Sequence, residues 1–219
     1  MVGIVGAGRM AAGIARRLTV GGCDLRVYDR DPDSARDLAR AVDPAPPGRV
    51  RAGALETVLG AAVIILAIRF PETVEFAREH AGKLAGRVLV DISTPLDGTY
   101  ERLVLEPTTS GAEELAKAAP LARIVKAFNT NLAVTLPDGQ IEGVALDTFI
   151  ASDDADAKAM VTGALQGSGL RPLDAGVLSN SRVLESMAAL GIELGDRYGL
   201  GQTFGFKYLP ARPLNSAET

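Results

Sequence analysis

Val2-Gly3-Ile4-Val5 runs directly into Gly6-Ala7-Gly8-Arg9-Met10-Ala11, and this stretch decides the fold. Four residues of buried-strand type are followed by G-x-G-x-x-A, and Met10 to Leu18 then carries apolar side chains at helical spacing until Gly21-Gly22. Strand, tight turn and helix in that order place the glycines where a diphosphate is held in dinucleotide-binding folds. Gly6 permits the sharp turn, Gly8 lets backbone approach an anion with no Cβ in the way, and Ala11 allows close helix–strand packing. The helix N-terminus adds unpaired N–H groups and about half a positive charge. Arg9 opposes that dipole by roughly 0.3–1 kcal/mol unless an anion lies beside it.

Outward from this stretch the pattern repeats. A second strand at Leu25–Tyr28 ends at Asp29-Arg30, and Pro32 then suits the first turn of a helix. Asp43-Pro-Ala-Pro-Pro-Gly48 reads as a loop, followed by a weak strand near Val50 and a short helix from Ala54. A strand at Val63–Ile68, a helix at Glu72–Leu84 and a strand at Arg87–Ile92 continue the alternation. Ser110 and Glu113 have capping-box spacing for a helix to Ala119, and a sixth strand spans Arg123–Phe128. The expected fold is α/β, a Rossmann-type doubly wound, mostly parallel sheet. Residues 1–130 would form the dinucleotide-binding domain and residues 131–219 a smaller C-terminal α/β lobe. That lobe is expected to hold a strand at Thr148–Ala151, a helix at Asp154–Gln166, an extended Arg171–Asp174 and a last helix at Asn180–Tyr198.

Composition narrows the function. With 219 residues, 47% hydrophobic and 23% charged, the chain can bury a substantial core. A net charge of −4 gives no general attraction to nucleic acid or anionic membrane. Cys23, the single cysteine, makes no internal disulfide, and no basic, apolar leader opens the sequence, so a cytoplasmic setting is expected. No apolar run approaches the roughly 20 residues of a membrane span.

Ligands of open parallel sheets lie beyond the carboxyl ends of the strands, which selects Ala67-Ile68-Arg69-Phe70, Ser93-Thr94-Pro95 and Asn129-Thr130-Asn131 as further candidates. Arg69 would touch the cofactor or a substrate anion, or be a surface arginine; Asn129 and Asn131 would hold a carboxamide or carbonyl, or serve turn chemistry. Asp29 can accept both adenosine ribose hydroxyls, as NAD requires, whereas Arg30 could bind the 2'-phosphate of NADP or be merely solvated. NAD(H) and NADP(H) both stand. No catalytic acid or base is assigned: His80 reads as a surface residue, and Lys126, Asp174, Tyr198 and Tyr208 are alternatives for a proton relay that spacing does not separate. No metal-ligand cluster or nucleophile elbow is visible. Ala188, Ala189, Gly191 and Gly195 in the last helix would permit close packing against another subunit or the first domain.

Three segments, the N-terminal glycine-rich turn, Ile124-Val-Lys-Ala-Phe-Asn-Thr-Asn131, and Gly169-Leu-Arg-Pro-Leu-Asp-Ala-Gly176 with Ser179-Asn-Ser-Arg-Val-Leu-Glu-Ser186, resemble the coenzyme F420-dependent NADP oxidoreductase family. The resemblance implies hydride exchange between a nicotinamide and a deazaflavin or other acceptor, no dedicated acid–base residue, and frequent dimerisation. It places substrate rings near Ile68–Phe70, Thr94-Pro95 and Asn129. Asp29 departs from the small polar residue typical of NADP-using members, and Arg69 stands where proline or a small residue is usual.

The expected protein is an oxidoreductase passing a hydride between a nicotinamide dinucleotide and a conjugated small-molecule acceptor such as coenzyme F420. Alternatives are an imine, enone or ketone reductase and a non-catalytic NAD(P)-binding sensor or partner module. A ferric-reductase-like electron donor to a membrane partner is a further reading, although the sequence carries no membrane span. No nucleic-acid or membrane partner is expected, and a homodimer is.

Overall fold

The computed structural model describes residues 1–42, 48–99 and 102–211. The proline-rich loop lies, apart from Gly48, outside the described residues. Six strands, β1 (Val2–Val5), β2 (Leu25–Tyr28), β3 (Val50–Ala52), β4 (Val63–Leu66), β5 (Val88–Asp91) and β6 (Arg123–Lys126), form one sheet in the order β3-β2-β1-β4-β5-β6. Every pairing is parallel, with Val2 beside Leu25 on one side and Val63 on the other. Helices α1 (Arg9–Val20), α2 (Pro32–Val42), α3 (Leu55–Leu59), α4 (Glu72–Leu84) and α5 (Gly111–Ala118) make the crossovers. The order turns outward in both directions from β1, the doubly wound arrangement whose ligands lie at the strands' carboxyl ends.

The period-two alternation of the strands sorts the core into two layers. Val2, Ile4, Val63, Ile65, Val88, Val90 and Val125 face the layer with Ile14 and Leu18 of α1 and Leu38 of α2. Val5, Ile64, Leu66, Leu89 and Ile124 face the opposite layer with Val58, Ala77, Leu84 and Leu115. β1, β4 and β5 are buried throughout, and each such aliphatic side chain contributes about 1.5–3 kcal/mol relative to exposure. Ser110 caps α5 by accepting the Glu113 N–H at 3.2 Å, the first half of the expected capping box; its hydroxyl donates to the Glu113 carboxylate at 2.7 Å, where the box would have that carboxylate take the Ser110 N–H.

Beyond β6 the chain forms a hairpin, β7 (Gln140–Ile141) with β8 (Val144–Ala145). Then β9 (Asp147–Ile150), α6 (Ala155–Ala164) and β10 (Arg171–Asp174) make a parallel pair with its crossover helix, and α7 (Ser181–Arg197) follows. This segment joins the first layer: Leu136, Ile150, Val161 and Leu165 belong to the same cluster as Ile14. A two-way bridge between Lys126 and Ala151 ties it to the sheet's edge. Two of the small residues of α7 are taken up within the chain. Gly191 and Gly195 accept Phe204 and Phe206 of the chain's own tail, where a Cβ would meet ring atoms at 2.6–3.1 Å.

Candidate functional site

Gly6 takes φ +100°, and a Cβ there would lie 2.5 Å from the Ala67 carbonyl oxygen. The turn is therefore fixed by the protein itself. Gly8 differs: its backbone is extended, and a Cβ would meet nothing within 4 Å. Its missing side chain has no internal cause and leaves the approach to α1 open. Gly8 is the N-cap of α1, no side chain caps the helix, and its first turn has no acidic residue. Arg9 is exposed beside these N–H groups. An uncapped N-terminus reached over bare backbone fits a phosphate group.

Asp29 closes the turn from the next strand. Its Oδ2 accepts the Ala7 N–H at 2.8 Å and its Oδ1 the Asp31 N–H at 2.9 Å. Arg30 points outward, 3.7 Å from Glu72 of α4.

From this turn a cavity of about 710 Å3 runs along the carboxyl ends of β1, β4, β5 and β6. Gly8, Arg9, Met10, Ala67, Ile68, Arg69, Thr94 and Asn129 line it, so these sequence candidates are brought together. Gly6, Ala7, Ala11, Asp29 and Arg30 are not in its wall, and Pro95 lines a neighbouring cavity of about 560 Å3 instead. Asn131 reaches the wall, but its amide is committed to the fold, donating to Asp147 O at 2.9 Å and accepting from Thr148 Oγ1 at 3.0 Å. Leu132 and Ala133, next to the recognised Asn-Thr-Asn stretch, belong to the wall and were passed over. Ile192 of α7 and Gln202 of the tail had no local signal, since tertiary folding alone brings them there.

The far wall is set by a buried ionic network. Lys126 is 0% exposed and donates to Asp91 Oδ2 at 2.7 Å, Glu185 Oε1 at 2.6 Å and Ser93 O at 2.5 Å. Glu185 also accepts the Gly111 N–H at 3.0 Å. Burial alone would depress the Lys126 ammonium, yet the two carboxylates hold it above its ordinary value; burial pushes the Glu185 carboxyl up despite the lysine. Phe128 adopts φ 62° in the core, a conformation costing about 1–3 kcal/mol, and Asn129 next to it donates to Leu184 O at 2.8 Å. The two segments Ile124–Asn131 and Ser179–Ser186 thus meet through Lys126–Glu185 and Asn129–Leu184, which fixes Ser93 and Asn129 against α7.

This geometry corrects the proton-relay candidates. Lys126 is saturated inside the network, Asp174 pairs with Lys158 at 2.7 Å, and Tyr198 and Tyr208 are exposed; none lines the cavity. Among its described lining residues Asp97 is the only carboxylate, and there is no histidine, tyrosine or lysine. His80 is less exposed than expected, its ring packed edge-on against Phe76 at 4.6 Å. The Cys23 thiol donates to Ala164 O at 3.4 Å, and burial raises its pKa. Among the described residues no acidic, cysteine or histidine cluster suits a metal, and no helix is long and apolar enough to cross a membrane.

Fold and glycine-rich turn together define a Rossmann-type dinucleotide-fold protein. Residues 1–95 match the family model described as NADP oxidoreductase, coenzyme F420-dependent. The F420-dependent NADP reductase of Methanothermobacter marburgensis is 30% identical over 204 residues, covering 86% of this chain and 89% of that protein. The chain therefore belongs to the family of coenzyme F420-dependent NADP oxidoreductases. The metalloreductase STEAP3 of Rattus norvegicus is 31% identical over 186 residues, 85% of this chain, but this chain spans only 36% of that protein. Among solved structures, a putative F420-dependent NADP reductase from Arthrobacter sp. FB24 superposes with a TM-score of 0.80 at 26% identity, covering 95% of this chain and 99% of that one.

Proposed function

We propose that the protein is an oxidoreductase that binds a nicotinamide dinucleotide along the glycine-rich turn and exchanges a hydride with a conjugated acceptor in the same cavity. Coenzyme F420 is the first acceptor, in keeping with the family and with the names of its relatives. The carrying observation is the continuity of the site: bare Gly8 and the uncapped α1 terminus open into a cavity that ends at Thr94 and Asn129. In this reading the α1 N–H groups and Arg9 hold the diphosphate, Asp29 the adenosine ribose, and Ala67, Ile68, Thr94 and Asn129 the nicotinamide end. Pro95 backs that end from the adjoining cavity. Bound there, the nicotinamide supplies a hydride-carrying ring carbon. The protein's contribution is alignment and exclusion of water, through the loops anchored by the buried network.

Hydride transfer to a conjugated ring needs no protein proton donor, and the described cavity wall offers little beyond Asp97. That favours a deazaflavin over a ketone, whose reduction leaves an alkoxide to be protonated. Residues 1–130 would serve the dinucleotide and 131–219 the acceptor. A homodimer in the cytoplasm is part of the reading, supported by exposed apolar residues on α7 for the pairing and by a single cysteine for the compartment. The test is to mix purified protein with reduced dinucleotide and oxidised F420 and follow the deazaflavin's visible absorbance. Bleaching that requires the protein is the expected result. Dinucleotide binding with no bleaching would turn the reading toward other acceptors or a sensor, and no binding would end it.

A further inference from the structure

Two aspartates, Asp29 and Asp31, stand where β2 passes into α2. Asp29 is fixed there by two accepted bonds, one from the glycine-rich turn at Ala7 and one from Asp31, at 2.8 and 2.9 Å. Asp31 in turn fills the start of α2: Oδ1 accepts the Asp33 N–H at 3.1 Å and Oδ2 the Ser34 hydroxyl at 2.7 Å, while Pro32 has no N–H to offer. The helix terminus that an anion beyond β2 would use is already occupied by the protein's own carboxylate. Ser34 and the N–H donors hold Asp31 below the usual carboxylate range.

Each of the two arginines that follow β2 has an acid beside it. Arg30, 86% exposed, lies 3.7 Å from Glu72, and Arg36 pairs with Asp33. Asp29, Asp31 and Asp33 thus follow one another where β2 passes into α2, with Arg30 beside Glu72 and Arg36 beside Asp33. A ribose diol brings two O–H donors to the two acceptor oxygens of Asp29. A 2'-phosphate brings negative charge and acceptors only, to a carboxylate tethered at both oxygens.

We infer that the site takes NAD(H) in preference to NADP(H), with Asp29 as the specificity-determining residue. This rests on the dinucleotide reading above and departs from the NADP in the relatives' names. The test is parallel titration of the full chain with NADH and NADPH, by nicotinamide fluorescence and by calorimetry, so the readout is Kd and needs no acceptor. NADH is expected to bind at least about tenfold more tightly, the scale of one like-charge contact partly screened by solvent. Asp29→Ser, whose hydroxyl can still accept the Ala7 N–H, is expected to move the ratio toward NADPH by a similar factor. Equal affinities in the wild type, or tighter NADPH, would overturn the preference while leaving the dinucleotide reading intact. If neither nucleotide binds, both fall.

Discussion

Gly6 and Gly8 stand two positions apart and answer to different causes. The first is required by the polypeptide: φ +100° and a carbonyl 2.5 Å from any Cβ leave no room for a side chain. Gly6→Ala is expected to cost roughly 2 kcal/mol or more of stability, read as a lowered urea midpoint. The second is free of the polypeptide. Serine suits the extended N-cap conformation Gly8 already has and would bond the N–H groups of the first turn. Gly8→Ser should hold stability within about 0.5 kcal/mol or raise it, while the Kd for reduced dinucleotide rises about tenfold, because the hydroxymethyl group fills the cradle and takes the donors. Wild-type affinity in this variant would show that no diphosphate approaches Gly8. The pair separates a glycine kept for folding from one kept for a ligand.

At the scale of elements, β9 anchors the tail through one buried carboxylate. Asp147, 1% exposed, accepts from Arg171 at 2.6 and 2.7 Å, from Lys207 at 2.8 Å and from the Tyr208 N–H at 2.7 Å. The same tail seats Phe204 on α7 and places Gln202 at the cavity. Burial by itself would raise the Asp147 carboxyl, but Arg171, Lys207 and the backbone donor together hold it below its ordinary value. A depressed folded pKa contributes stability above the unfolded value and loses it as pH falls. Wild type should therefore exceed Asp147→Asn by on the order of 3 kcal/mol at neutral pH, the scale for breaking a buried ion pair. The difference should narrow below about pH 4, where the unfolded carboxylate takes up its proton. Denaturant melts of both proteins across that range measure it; a difference independent of pH would mean that Asp147 acts by packing rather than charge.

For the whole molecule, what could be read from sequence was what periodicity and local turn chemistry encode. Val2–Val5 and Leu25–Tyr28 are strands as expected, because an apolar or alternating run bounded by turn residues reports a strand locally. Strands four, five and six end one or two residues sooner than their apolar runs, since Ala67 and Ile92 already face the cavity and Phe128 has left the extended region. Lys126 and Glu185, 59 positions apart, carry no local sign of a shared network, because their contact is made only in the tertiary fold. One helix keeps an apolar stripe at its surface. Val183 and Leu190, two turns apart on α7, are 59% and 52% exposed, with Met187 and Leu194 half-buried on the same stripe. Spacing of four, three and four residues makes this a helix face of the kind that seats a second helix. A twofold pairing of two such faces would bury these side chains against their symmetry mates, as the proposed homodimer requires. Leu190→Glu would set two carboxylates against each other across the axis, so sedimentation should find a dimer in the wild type and a monomer in the variant, with dinucleotide affinity retained because α7 meets the cavity through Ile192 instead. A wild type that sediments as a monomer at all concentrations would remove the dimer from the proposed function and leave the stripe as plain surface.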